Sequence, residues 1–282
     1  MLKVFGFVLR NEALTHDEYR TGHVGYHNSY GRRLPNIRGY MLNVCANKPI
    51  GETLGPLAAQ ITRNEPADFD EQWDAWGQLM FDNLDAYLSA RTPSRDRAGP
   101  GGLIDDPMVG EVGGDFDYLY AGSPFQFHVD EHVAVPVTRP ERKIFKLTLF
   151  GKRKEGLSAD EFRAYWTGRY AALMGQIPGL RGHIINIRTE LDVMTGFFAP
   201  DAEGFTPDGT ARREHFYDQW DGMAELWFDD SAQFVDGRSA PDLAAKLGAM
   251  EDDLFSTVFY REVDETVAVN PNRLPAPEFY YR

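Results

Sequence analysis

The stretch LTHDEYRTGHVGYHNSYGRRLPNIRGYMLNV, residues 14–44, decides the fold because the chain writes it twice. Residues 157–187 read LSADEFRAYWTGRYAALMGQIPGLRGHIINI and align with it without a gap. Leu14 falls on Leu157, Asp17-Glu18 on Asp160-Glu161, Arg20 on Arg163, Pro35 on Pro178 and Arg38-Gly39 on Arg181-Gly182. The copy extends upstream, with Lys3, Phe7, Arg10 and Glu12 on Lys146, Phe150, Arg153 and Glu155. It resumes downstream, where QWDAWGQLMF from Gln72 falls on QWDGMAELWF from Gln219, and FQFHVDEHVAV from Phe125 on FYREVDETVAV from Phe259. One position changes chemistry: His27 in the first copy is Tyr170 in the second.

The repeat divides the 282 residues into halves, 1–140 and 141–270, followed by a Pro-rich tail, 271–282, expected to pack along the surface. A formal charge of -14, a pI near 4.9 and the lack of any basic run exclude a nucleic-acid partner, which needs clustered Lys and Arg. The single cysteine, Cys45, excludes an intrachain disulfide, suits a reducing cytoplasm and reads as buried packing. No apolar run approaches the roughly 18 residues of a membrane span. MLKVFGFVLR at the start lacks a cleavage site and reads as a first strand. A cytoplasmic protein without membrane contact is expected.

Within each half, Thr15 with Glu18 and Ser158 with Glu161 predict a capping box at the start of a helix. The helix buries a stripe at helical spacing: Phe162, Trp166, Tyr170 and Leu173 in the second copy, Tyr19, His23, His27 and Tyr30 in the first. Pro35 and Pro178 forbid its continuation, and YMLNV or HIINI supplies a second strand. Residues 46–68 and 192–214 read as long connecting loops with room for short helices and for a lid over a site. The two QWD segments become strand 3 leading into a second helix, and an Arg-, Pro- and Gly-rich insertion at 89–114 reads as an exposed loop. The alternating segments from Phe125 and Phe259 are the last strands. Each half is therefore βαββαβ, a ferredoxin-like antiparallel sheet with both helices on one face. Two such units stacked sheet to sheet give an intrachain α+β barrel, with helices outside and a cavity between the sheets.

These residues resemble the EthD domain family. The second copy carries KRKEGLSADEFRAYW and IPGLRGH nearly as the family pattern has them, with Tyr170 at the family's histidine. The first copy keeps that histidine, His27, eight residues after Tyr19, but has Gly22-His23 where Tyr-Trp is the pattern. The resemblance covers most of the chain as a tandem pair and implies the barrel. For activity it implies a range, because the family is similar to a wider set of dimeric α+β barrel proteins that includes lyases, isomerases, cofactor-free monooxygenases and haem-binding proteins. Some relatives look like decarboxylases or dehydratases acting on aromatic polyketides, and the founding members accompany ether-degrading oxygenases.

His27 leads the candidates for chemistry, since an imidazole poised near neutral pH can take a proton from a substrate and return it; packed inside the helix it would be structural. His23 shares its helix face, and His128, Asp130 and His132 share one face of the last strand of the first half. These side chains read as an acid and base set, because no dedicated ligand motif supports a metal; no metal and no cofactor are expected. Tyr170 is a candidate phenol at the position of His27. Trp73, Trp76, Tyr40, His183 and His132 are candidates for the wall of a substrate cavity, although large aromatics on strands are usually core. Arg38 and Arg181, duplicated in the turn before strand 2, point to structural ion pairs with repeated acidic residues. No glycine-rich phosphate loop and no Ser or Cys elbow occurs.

The expected function is a cofactor-independent lyase, of dehydratase or decarboxylase type, on a medium-sized hydrophobic or aromatic small molecule, in a monomer or homodimer. The alternatives are a haem-dependent or cofactor-free oxygenase and a non-catalytic binding protein. Since the histidines His23, His27, His128 and His132 belong to the first half alone, one pocket on that side is expected, with the second half as wall and lid.

Overall fold

The computed structural model describes residues 1–69, 73–95, 116–122, 125–198 and 200–271. Most of the insertion and nearly all of the tail therefore lie outside the described residues, as does the Tyr30 side chain. Eight antiparallel strands close into one barrel: β1 (Leu2–Val8), β2 (Gly39–Cys45), β3 (Ala75–Phe81), β4 (Phe125–Val135), β5 (Phe145–Arg153), β6 (Gly182–Arg188), β7 (Gly222–Phe228) and β8 (Phe255–Val269). The order around it is β1-β3-β2-β8-β5-β7-β6-β4. Two long strands make the seams. β4 pairs with β1 over Phe125 to Val129 and with β6 from Val129 onward. β8 pairs with β5 up to Val263 and with β2 beyond it.

Alternation along the strands explains why the barrel has no room inside. Inward positions at one end carry Phe5, Phe7, Trp76, Phe127, Phe150, Trp220 and Phe259, which interlock as one aromatic cluster. At the other end the inward side chains are charged. Lys3 Nζ donates to Glu131 (2.9 Å), Asn186 (2.9 Å) and Glu225 (3.1 Å), and Lys146 Nζ to Asn43 (2.6 Å), Glu225 (2.6 Å) and Glu265 (2.7 Å). Lys3 and Lys146 are repeat partners, as are Asn43 and Asn186, so each lysine reaches into the opposite half. Three acceptors per ammonium are what a buried cation requires. Packed aromatics and a buried ionic cluster thus occupy the space between the sheets where a cavity was expected.

Both capping boxes form. Thr15 accepts from the Glu18 backbone N–H ahead of α1 (His16–Thr21), and Ser158 from Glu161 ahead of α7 (Ala159–Tyr165). Each helix then widens into a π-helical turn, Gly22–His27 or Trp166–Tyr170, and ends in a short α segment, Asn28–Gly31 (α2) or Ala171–Met174 (α8). In the second half the stripe continues in steps of four to Met174, fully buried, whereas Leu173 is only partly covered. The widened turn holds the i+4 step where an ordinary helix would drift.

The connecting segments cross between halves. Residues 46–68 include two short helices, α3 (Ile50–Leu54) and α4 (Leu57–Ile61), whose Leu54, Leu57 and Ile61 complete the outer core of the second half beside Leu149 and Tyr170. In return Val193, Met194, Phe197 and Phe198 pack on the first half beside Val4, Tyr40 and Leu79. The second of these connections ends in a full helix, α9 (Pro207–Asp218). Between β3 and β4 lie α5 (Leu84–Arg95), which takes up the first residues of the expected insertion loop, and α6 (Phe116–Leu119). After β7, α10 (Ser231–Arg238) and α11 (Pro241–Leu254) lead directly into β8. The duplicated ion pairs form as expected, Arg38 with Asp82 (2.9 Å) and Arg181 with Asp229 (2.5 Å).

Candidate active site

The cavity that holds the paired histidines lies outside the barrel, between the outer face of the first half's sheet and its first helix. Gly6, Leu42, Gly77, Leu79 and Gln126 form its floor, His23, His27 and Gly31 its roof, Tyr120 one end, and Phe197 with Phe198, reaching over from the second half, another wall. The room it leaves for the centre of a water-sized molecule is about 60 Å³, so the slot is narrow, well under the several hundred Å³ of a typical small-molecule site. None of the described residues lining it is Asp, Glu, Lys or Arg.

The second half shows why the space exists. At equivalent positions it carries Leu149 for Gly6, Trp166 for His23, Tyr170 for His27, Met174 for Gly31 and Ala224 for Gly77. Those larger side chains are all buried and fill the matching region as continuous core. The first half keeps the scaffold and cuts back five side chains. Gly31 is the tightest case, since a Cβ there would run into the ring of Tyr40.

Three rings stack along the helix face. Tyr19 lies over His23 (centroids 5.3 Å apart, planes at 15°) and His23 over His27 (5.2 Å, 11°), and Tyr120 meets both histidines edge-on. His23 is 2 % exposed, its Nδ1 is 2.8 Å from Tyr120 Oη, and its Nε2 has no partner among the described residues. Burial, and secondarily the neighbouring His27, holds its pKa well below the usual histidine value, so the ring is neutral. His27 is half-buried, toward the mouth. On the floor, Gln126 accepts a hydrogen bond from Tyr87 Oη, which fixes its amide.

Of the side chains expected at the site, His27, His23 and Tyr40 come together in this cavity, and the others do not. Asp130 is at the surface, paired with Arg163 (2.6 Å), just as its copy Asp264 is paired with Arg20, the copy of Arg163. These are reciprocal ties between halves, made because the end of each long strand lies under the other half's helix. His128 is on the outer face of β4 with Nδ1 2.7 Å from Thr189 Oγ1, and burial lowers its pKa. His132 is exposed beside His183 on the β4/β6 seam. His183, the copy of Tyr40, is buried in the second half with both ring nitrogens unpartnered, and burial brings its pKa to about 4. Tyr170 donates to the buried Glu251 (2.9 Å), which Arg238 and Arg63 neutralise. Trp73 and Trp76 belong to the aromatic interior of the barrel, on the other side of the sheet. Among the described residues no three His, Cys, Asp or Glu side chains are grouped to hold a metal ion.

Sequence reasoning missed Tyr120, Gln126 and the Phe197-Phe198 wall. It also passed over Gly6, Gly31 and Gly77, although reading glycine against Leu149, Met174 and Ala224 would have shown where volume is removed. The arrangement offers a neutral buried imidazole, a second imidazole open to the mouth and phenol and amide groups in an apolar slot.

The chain is thus an eight-stranded α+β barrel with a narrow apolar slot on one outer face. Its residues 154–257 match the family model of the EthD domain. Two solved structures share the fold over nearly the whole chain. A candidate monooxygenase from Fusobacterium nucleatum subsp. nucleatum superposes with a TM-score of 0.54 at 8% identity, covering 96% of this chain and 94% of the other. An anthrone oxidase-like protein superposes with a TM-score of 0.51 at 10% identity, covering 98% and 96%. No curated protein matches the sequence. Among the described residues no helix is long and apolar enough to cross a membrane.

Proposed function

We propose that the chain is a tandem pair of ferredoxin-like EthD-type units, residues 1–140 and 141–270, in which the first is the active unit and the second its structural counterpart. The strand orders β4-β1-β3-β2 and β8-β5-β7-β6 support this reading, as do the two capping boxes at equivalent positions. The activity is that of a cofactor-independent lyase on a hydrophobic, aromatic small molecule. The observation that carries it is the stacked His23–His27 pair with Tyr120, in a slot opened by side-chain loss in one copy alone. His27, at the mouth, removes a proton from the substrate and returns it to a departing hydroxyl, a dehydration. Of the two lyase types, dehydration suits the slot better than decarboxylation. Among the described residues no cation lines the slot to balance a buried substrate carboxylate.

Turnover tests the proposal. A partly saturated hydroxy-ketone that becomes aromatic on losing water would be followed by absorbance, with wild-type protein and His27→Gln. The variant is expected to lose about 10²- to 10⁴-fold in rate; full turnover without His27 sinks the assignment. A second reading is a cofactor-free oxygenase, favoured by the names of the two proteins that share the fold. There the same proton removal would ready a phenol or anthrone-like carbon for oxygen. Oxygen uptake matching product formation would select this reading, and its absence during turnover the lyase.

A further inference from the structure

Resting on the reading of this pocket as a proton-transfer site, the structure separates the two histidines by role. Tyr120 comes from a segment that the second half lacks, where α11 runs straight into β8. Backbone bonds fix that segment to the end of β1: Asn11 N–H donates to Leu119 O (2.8 Å) and Ala121 N–H to Leu9 O (2.9 Å). Leu119 sits against Gly22, where a Cβ would collide with it and where the second copy has Tyr165. The first copy thus gave up a ring on its helix to seat the segment, and the seating puts Tyr120 Oη 2.8 Å from His23 Nδ1.

A phenol is a strong O–H donor, and a neutral imidazole offers one lone-pair nitrogen and one N–H. A bond that runs from Tyr120 O–H to His23 Nδ1 leaves the ring hydrogen on Nε2, the buried atom with no partner among the described residues. We infer that Tyr120 is a positioning residue that fixes His23 as a neutral Nε2–H donor into the cavity, where it binds the substrate oxygen that gains negative charge as His27 takes a proton. The proton passes from the carbon next to the substrate ketone to His27, the electron pair left behind delocalises onto the ketone oxygen as an enolate, and the His23 hydrogen stays on Nε2. A neutral donor in a dry site suits this task because it stabilises charge without surrendering its own proton.

The test uses the full chain and does not depend on turnover. Long-range nitrogen–proton NMR of the labelled protein, with His23 assigned from a His23→Gln sample, is expected to show the Nε2–H tautomer unchanged from about pH 5.5 to about pH 8. Tyr120→Phe keeps the ring and removes the hydroxyl, so His23 should become a mixture of tautomers. The variant's affinity for 4-nitrophenolate should fall about tenfold, with 4-nitrophenolate serving as the stand-in for the charged oxygen. An Nδ1–H tautomer, titration of His23 within that range, an unchanged spectrum in Tyr120→Phe, or wild-type protein that binds 4-nitrophenolate no better than the variant overturns the inference. Failure of the lyase or oxygenase reading is seen separately, in turnover by His27→Gln.

Discussion

Gly31 and Gly77 both look into the pocket, yet they should respond differently to a single added methyl group. At Gly77 a Cβ would lie 3.7 Å from the Tyr40 ring, an ordinary contact, and the second copy already carries Ala224 there. Gly77→Ala should therefore keep or raise stability, by up to about 1 kcal/mol through reduced freedom of the unfolded chain, while narrowing the slot and weakening 4-nitrophenol binding. At Gly31 the added carbon must displace Tyr40, so Gly31→Ala should cost about 1–3 kcal/mol. Urea denaturation of the two variants checks both signs. His183 gives a second prediction at this scale. It is neutral in the folded protein with a pKa of about 4, whereas the unfolded chain takes up its proton below roughly pH 6.5. Its effect is that stability falls as the pH drops from about 6.5 toward 4, by about 3 kcal/mol in all, with His23 acting in the same direction. His183→Leu should flatten that part of the stability profile, and a profile as steep as wild type would show that the site does not titrate this way. His27 was legible because one chain supplies its own comparison, a histidine set against Tyr170. Tyr120 was not, because its segment has no copy to compare, and only the backbone path beside β1 brings it to His23.

The helix that roofs the slot in the first half carries a π-helical turn in both halves, although the matching region of the second half is filled with packed side chains. The wide turn is therefore common to both helices, and the two regions differ in the side chains carried on it. Its boundaries were readable because capping boxes are local chemistry, two side-chain bonds within four residues. The π turn was not readable, since the i+4 steps it preserves are also those of an ordinary amphipathic helix. The crossing segments were equally hidden: residues 46–68 and 192–214 show no periodicity, and their partners lie in the other half. α4 makes a test of that crossing. Ile61 is 1 % exposed in the outer core of the second half, far in sequence from everything it touches there. Ile61→Ala should cost about 2–5 kcal/mol and, because that core backs the filled counterpart of the pocket, should leave 4-nitrophenol affinity within about twofold once the protein is folded, by the near-additivity of distant sites. A stability loss under about 1 kcal/mol would mean that the crossing segment is only loosely held.

At the scale of the whole molecule the halves share too much to unfold apart. Both seams are strand pairings, each long strand serves two sheets, and the ionic core is divided between halves, with Glu225 held by Lys3 from one and Lys146 from the other. The repeated residues were plain in the sequence, but the filled interior was not: Lys3 and Lys146 were visible at matching positions, and only closure of the barrel sets them around one carboxylate. Burial opposes the charge on Glu225, yet the two ammonium groups and Gln78 overcome it and hold its pKa far below the ordinary carboxylate range. Since the folded pKa is depressed, this carboxylate stabilises the protein above the usual carboxylate pKa of about 4.3, and the contribution is lost as the pH falls below that value. Glu225→Gln leaves two buried ammonium groups short of a counter-charge and should cost about 3–5 kcal/mol at neutral pH, with a smaller penalty in acid. Because that core belongs to neither half alone, the loss should move one cooperative transition to lower urea concentration. The five tryptophans are spread over both halves, so tryptophan fluorescence and far-ultraviolet circular dichroism should trace coincident curves in wild type and variant. Two separated transitions, or a Glu225→Gln effect confined to one of them, would show that the halves are independent domains in contact.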